Sequence, residues 1–173
     1  MQTFAHFASI RTNVTRAASA IALLAAAMSA HAAAIPTTPN NFYVSPSGPD
    51  TAAGSKAAPF KTLARAAKAA TKAGTTVFVA PGTYAGGIRT TASGTASSRI
   101  YWVSTTKWGA KIVPPANSTN KTAWDNRGNY VSIIGFDVDG SKIGTGTKWV
   151  LGIYTGGSYN VIEGNRVHHM ATT

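Results

Sequence analysis

Two short stretches hold most of the residues able to do chemistry: "FDVDG", residues 136–140, and "EGNRVHH", residues 163–169. Asp137 and Asp139 are two residues apart, and on a strand that spacing points both carboxylates to one face. Two carboxylates on one face begin a calcium site, and Lys142 stands close enough in sequence to serve beside it as a base. Asp137 and Asp139 are therefore the candidate metal ligands, and Lys142 is the candidate catalytic residue. Calcium takes about six to eight oxygen ligands, and no third ligand is evident nearby. The simpler expectation is that both Asp lie on the outer face or enter the turn at Gly140, with Phe136 and Val138 pointing inward.

The second stretch offers His168, His169, Arg166 and Glu163. Adjacent strand residues face opposite ways, so His168 and His169 are not expected to chelate one ion, and the useful i, i+2 and i, i+4 spacings are absent. Glu163 and Arg166 likewise fall on opposite faces. With Val161 and Val167 inward, these polar residues decorate the outside of the chain. No substrate-binding residue is assigned. Trp102, Trp108, Trp124, Trp149 and the tyrosines are suited to stacking on sugar rings, and equally to a core. Asn117 and Asn120 begin two glycosylation sequons.

The elements that must position these residues are short strands. After Tyr84 no helical period remains; apolar runs of a few residues alternate with Gly- and Asn-rich turns. The segment from Asn129 to Val138 resembles that from Asn160 to Val167, allowing a short deletion, and Gly135 and Gly164 are 29 residues apart. Self-similarity at 20 to 30 residues, built of brief strands, is the signature of a β-solenoid, in which each coil stacks its inward residues on those of the next. Asn126, Asn129, Asn160 and Asn165 suit the corners, where left-handed backbone is needed. A β-sandwich with long loops is the alternative.

Ahead of the coils, residues 61–74, "KTLARAAKAATKAG", read as an amphipathic helix of about three turns. Phe60, Leu63, Ala66, Ala67 and Ala70 form its apolar face, and Gly74 is a natural cap. Lys61, Arg65, Lys68 and Lys72 line another face, as a solvated side or a polyanion site. At the start, Arg11 and Arg16 precede the apolar run of residues 17–30, followed by the "AHA" pattern at residues 30–32. This has the form of a secretory signal peptide, over residues 1–34 with its cleavage region, and residues 35–41 read as a linker. The apolar run is short of the ~20 residues a bilayer span needs, so no stable membrane insertion is expected after cleavage, and the mature chain is expected to be secreted.

The whole chain of 173 residues carries a formal charge of +11, and removal of Arg11 and Arg16 leaves fourteen Lys/Arg against five acids, or +9. Such a balance favours an anionic partner. Export argues against nucleic acid and for an acidic polysaccharide. There are no cysteines, which excludes disulfides and thiolate-held metals.

Residues 42–84, "FYVSPSG" through "PFKTL" to "GTTVFVAPGTY", resemble the N-terminal cap of secreted right-handed parallel β-helix proteins of the pectate lyase-like superfamily. "NYVSIIGFDVDG" and "GIYTGGSYNVIEGNRVHH" are similar to their early coils. The nearest resemblance is to pectate lyases of the family 9 type, and it covers roughly residues 42–169. It implies an all-β right-handed parallel β-helix with an N-terminal capping strand and helix, residues 85–173 forming its first coils and ending before the fold is complete. It also implies β-elimination on an acidic polysaccharide such as pectate, with a calcium held by several Asp and a catalytic Lys. Those residues belong to "N-x-DG-F-x-x-K" and "N-x-DDG-x-D" motifs on later coils. Neither motif occurs here, so no catalytic residue transfers by position. Calcium is an expectation for the complete protein, itself expected to be a monomer; this chain alone is expected to be inactive. A non-catalytic β-helix that binds glycans or surfaces is the alternative of a different class.

Overall fold

The computed structural model describes residues 38–141 and 147–171. The expected signal peptide and the candidate Lys142 lie outside the described residues. Every strand pairing is parallel. That excludes the β-sandwich, whose sheets are antiparallel.

The chain opens with β1 (Asn40–Val44), then α1 (Leu63–Ala69), β2 (Thr75–Val79), β3 (Gly82–Ala85) and β4 (Ile88–Thr90). A second coil follows as β5 (Ile100–Ser104), β6 (Ala110–Val113) and β7 (Thr122–Asn126). The third is β8 (Val131–Ile134), β9 (Asp137–Asp139) and β10 (Leu151–Thr155), and a partial fourth holds β11 (Val161–Glu163) and β12 (Arg166–His168). Coil-on-coil stacking gives three sheets: β1-β2-β5-β8-β11, β3-β6-β9-β12 and β4-β7-β10. The result is a parallel β-solenoid capped at its start by β1 and α1.

The cap forms for local reasons. Thr62 is extended and its Oγ1 accepts the Arg65 N–H at 3.1 Å, an N-cap that starts α1. Asp50 clasps the same end, accepting from the Lys61 and Thr62 backbone N–H and the Thr62 hydroxyl. Phe60, Leu63, Ala66 and Ala70 are buried, as the apolar periodicity requires. The helix is two turns rather than three. It stops at Ala70, and the following residues turn the chain into β2, with the Thr75 hydroxyl donating to Lys72 O and Gly74 at φ +69. Arg65 is committed to the cap, over the Phe60 ring at 4.5 Å. β1 also starts at Asn40, inside the expected linker, because Asn40 and Asn41 pair with Thr75 and Thr76.

Inside, the coils stack like on like. Val77, Trp102, Ile133 and Ile162 share one register column, and Tyr84, Ile112, Val138 and Val167 share another. The first three of each column are 0 to 4% exposed. Ile162 and Val167, with no further coil over them among the described residues, are 47% and 45% exposed. Val161 is therefore not inward as expected: it stacks on outward Ser132, and Ile162 takes the core position. The reason is the register. From Ser132↔Val161 to Asp139↔His168 the offset is 29 throughout, so no deletion is needed and Asn160 falls opposite Val131 rather than Asn129.

The corner asparagines hold the coils by their side chains, not by left-handed backbone. Asn160 accepts the Val131 N–H at 2.8 Å and donates to Gly128 O at 3.0 Å. Asn165 accepts the Phe136 N–H and donates to Ile133 O, both at 2.8 Å. The left-handed positions go to Gly135 and Gly164 at the turn between the first two sheets, and to Tyr130 and Tyr159, whose rings stack at 4.7 Å.

Trp102, Trp124 and Phe136 form a buried edge-to-face chain at 5.0 and 5.3 Å. The Trp124 Nε1–H donates to Thr90 Oγ1, whose hydroxyl donates to Asn126 Oδ1, so the polar edge of the indole is satisfied inside. Trp124→Ala is expected to cost about 3–5 kcal/mol by opening a cavity at the centre of this chain. Thermal or urea unfolding monitored by circular dichroism measures it; a loss under 1 kcal/mol would mean the coils do not depend on that packing.

Candidate functional site

Two outward-facing arrangements gather functional side chains. The first lies on the sheet of β6, β9 and β12. Lys111, Asp137 and Arg166 stand in one cross-strand row, and Asp139 and His168 in the next. Asp137 and Asp139 do point to one face, as their spacing requires. They are not exposed, however: they are 2% and 6% accessible, covered by the cations on neighbouring coils.

Arg166 grips Asp137 in a two-pronged pair, Nε to Oδ1 at 2.9 Å and the terminal nitrogen to Oδ2 at 2.8 Å. His168 Nε2 meets Asp137 Oδ1 at 2.7 Å. Lys111 reaches Asp139 Oδ2 at 2.7 Å, and the Ser141 N–H and hydroxyl donate to Asp139 Oδ1 at 3.0 and 2.7 Å. The Arg166 pair holds the Asp137 carboxyl below its usual range, against burial and with help from His168. For Asp139, burial pushes upward, but the hydrogen bonds from Lys111, Ser141 and His169 together outweigh it and keep it ionised.

The histidines are not split across two faces. β12 ends at His168, and His169 takes a left-handed backbone, φ +56, which swings its ring back to the same side. His168 Nδ1 and His169 Nδ1 are 2.8 Å apart, and His169 Nδ1 is 2.9 Å from Asp139 Oδ1. The alternation rule failed because it holds only while the backbone stays extended. Glu163 lies on β11, away from this row.

The expected calcium does not fit Asp137 and Asp139. Calcium wants a shell of oxygens; these carboxylates are ringed by a guanidinium, an ammonium and imidazoles, which hold both Asp137 oxygens and Asp139 Oδ2 and surround the pair with nitrogen rather than oxygen.

The second arrangement is a groove of about 300 Å³ on the sheet of β4, β7 and β10. Arg89, Asp125 and Tyr154 form one outward cross-strand row. Arg127 lies 2.6 Å from Asp125 and over the Tyr154 ring at 4.7 Å; Arg89 is 3.7 Å from the other carboxylate oxygen. Asn120 and Lys121 border it. Sequence reasoning missed this groove. "IRT", "WDN" and "IYT" each put an inward apolar residue first and an outward residue second, but they are spaced 36 and 29 residues apart, so no single period reveals them. Of the tryptophans, Trp102, Trp124 and Trp149 are core; Trp108, 41% exposed, stacks with Lys107 and Arg166.

The sequence pattern described as "Pel9A-like, right handed beta helix region" matches residues 42–173. No curated protein sequence matches the chain. Among solved structures, one described as "Rhamnogalacturonan lyase" aligns with a TM-score of 0.51 and 23% identity, over 60% of this chain and 29% of that one. At that identity the likeness bears on the fold, and this chain spans less than a third of that structure's length.

The Asp137–Arg166 pair carries a pH signature. A carboxyl whose folded pKa is lowered adds stability that is complete above its unfolded value, about 3.9, and is lost as pH falls through the folded value. Asp137→Asn should lower stability by roughly 1–3 kcal/mol at neutral pH and flatten the fall of Tm below about pH 4. Melting curves between neutral pH and about pH 3 read both effects; an unchanged acid slope contradicts the pairing.

Proposed function

The chain belongs to the Pel9A-like right-handed β-helix family, and from that premise we propose that it is part of an exported carbohydrate-active protein that engages an acidic polysaccharide such as pectate. The observation that carries this reading is the groove on the β4-β7-β10 sheet. Arg89, Arg127 and Lys121 outnumber the one lining carboxylate, Asp125, with which both arginines pair; Asn120 adds a hydrogen-bonding amide, and Tyr154, 37% exposed, an aromatic ring backed by Arg127. A uronate residue presents a carboxylate, hydroxyls and a sugar face, which these groups match. The excess of basic residues outside residues 1–34 strengthens attraction to a polyanion along the whole surface.

For the complete protein the proposed reaction is β-elimination, with calcium neutralising the uronate carboxylate and a basic side chain removing the proton on the adjacent carbon. No step of it is assigned to the described residues, since neither Asp137 nor Asp139 fits calcium. Among the described residues, no helix is long and apolar enough to cross a membrane.

Binding to polygalacturonate, followed by calorimetry or affinity electrophoresis, tests the groove. Binding should exceed that to a neutral galactan and weaken with salt. Tyr154→Ala combined with Arg127→Ala should weaken it at least ~10-fold, as expected for losing one charge-assisted contact and one stacking face. Equal affinity for the neutral polymer, or no effect of the double variant, overturns the reading. Incubation with polygalacturonate and calcium, read by ultraviolet absorbance of unsaturated product, separates a lyase from a purely glycan-binding β-helix.

A further inference from the structure

We propose that Asp139, His168 and His169 form a binding site for a divalent transition-metal ion of the zinc type. It is distinct from the polysaccharide groove and from calcium, and it does not depend on the reading above.

Three donor atoms converge. Asp139 Oδ1, His168 Nδ1 and His169 Nδ1 form a triangle with sides of 2.8, 2.9 and 3.8 Å. The point equidistant from such corners is roughly 1.9 Å from each, so an ion slightly above the plane meets all three at the ~2.0–2.2 Å that zinc makes to imidazole and carboxylate. Two imidazoles with one carboxylate is a set that favours zinc and its first-row neighbours over calcium or magnesium.

The surroundings supply what a ligand histidine needs. His168 turns Nε2 to Asp137 at 2.7 Å, and Asp137 is itself fixed by Arg166. With the Nε2 proton given to that carboxylate, His168 Nδ1 is the bare nitrogen. This is the carboxylate–histidine–metal relay that fixes the tautomer and orientation of a ligand histidine. Asp139 is likewise anchored: Lys111 holds Oδ2, and Oδ1, which faces the triangle, accepts from the Ser141 N–H and hydroxyl.

Without an ion, the three atoms crowd one another. His169 Nδ1 stands within 3.1 Å of His168 Nδ1, Asp139 Oδ1 and the Ser141 hydroxyl together, and the one proton it carries serves only part of that set. The site is open on one side: the His169 side chain is 64% exposed, His168 29% and Asp139 9%. An ion has an entry path and room for a water or the Ser141 oxygen as fourth ligand. Lys111 and Arg166 neutralise the two carboxylates, so their charge opposes the ion and weakens its hold.

The test is titration of Zn²⁺ into the untagged full chain at neutral pH, in competition with a chromophoric chelator. Co²⁺ serves as a spectroscopic probe of nitrogen coordination. One ion per chain is expected, unaffected by millimolar Ca²⁺. His169→Ala, at an exposed position, should keep the fold by circular dichroism and weaken Zn²⁺ at least 10-fold. His168→Ala combined with His169→Ala should abolish the site, which sets it apart from His6 and His31. Asp137→Asn should weaken it 10- to 100-fold, the range seen for loss of such relay partners. Failure of the wild-type chain to compete for Zn²⁺, or unchanged affinity in His169→Ala, overturns the proposal.

Discussion

Each coil must return to the same register above the one before it. In a parallel solenoid the backbone hydrogen bonds run between coils, so along each sheet an inward residue stacks on the inward residue one coil away. Val77, Trp102 and Ile133 obey this, as do Tyr84, Ile112 and Val138. A slip of one residue in any coil would turn a whole strand's apolar set outward. Asn160 and Asn165 guard against the slip, because each side chain bonds backbone groups of the preceding coil that only the native register brings opposite it.

The same register builds the outside. Outward positions on successive coils lie side by side, so single polar residues scattered through the chain become rows. On one sheet the row is cationic and anionic in turn, and two carboxylates are carried into near-complete burial because Lys111, Arg166 and His168 close over them. On another the row is Arg89, Asp125 and Tyr154, flanked by Arg127, and it leaves a groove instead of a closed network.

Much of the architecture was legible because it rests on local rules. The apolar face of α1 follows from 3.6-residue spacing, its start from Thr62, and the 29-residue unit from repeated Gly and Val. The length of α1 was not legible, since its last turn yields to the demand of β2 for a partner in register. The inward role of Val167 was legible and that of Val161 was not, because the misplaced deletion shifted one strand by a residue. The His pair was misjudged for a similar reason. Alternation assumes extended backbone, and a single left-handed residue, His169, cancels it.

By itself, then, the sequence determined the repeat, the kinds of residue that face in and out, and a positive balance suited to acidic polymers. These depend on composition and on neighbours within a few residues. Tertiary structure alone decided which side chains meet: Asp137 with Arg166 and Asp139 with His169, about 30 residues on, and Arg89 with Asp125 at a distance of 36. Those meetings are set by coil length, and coil length varies with each loop, so no fixed spacing in the chain records them.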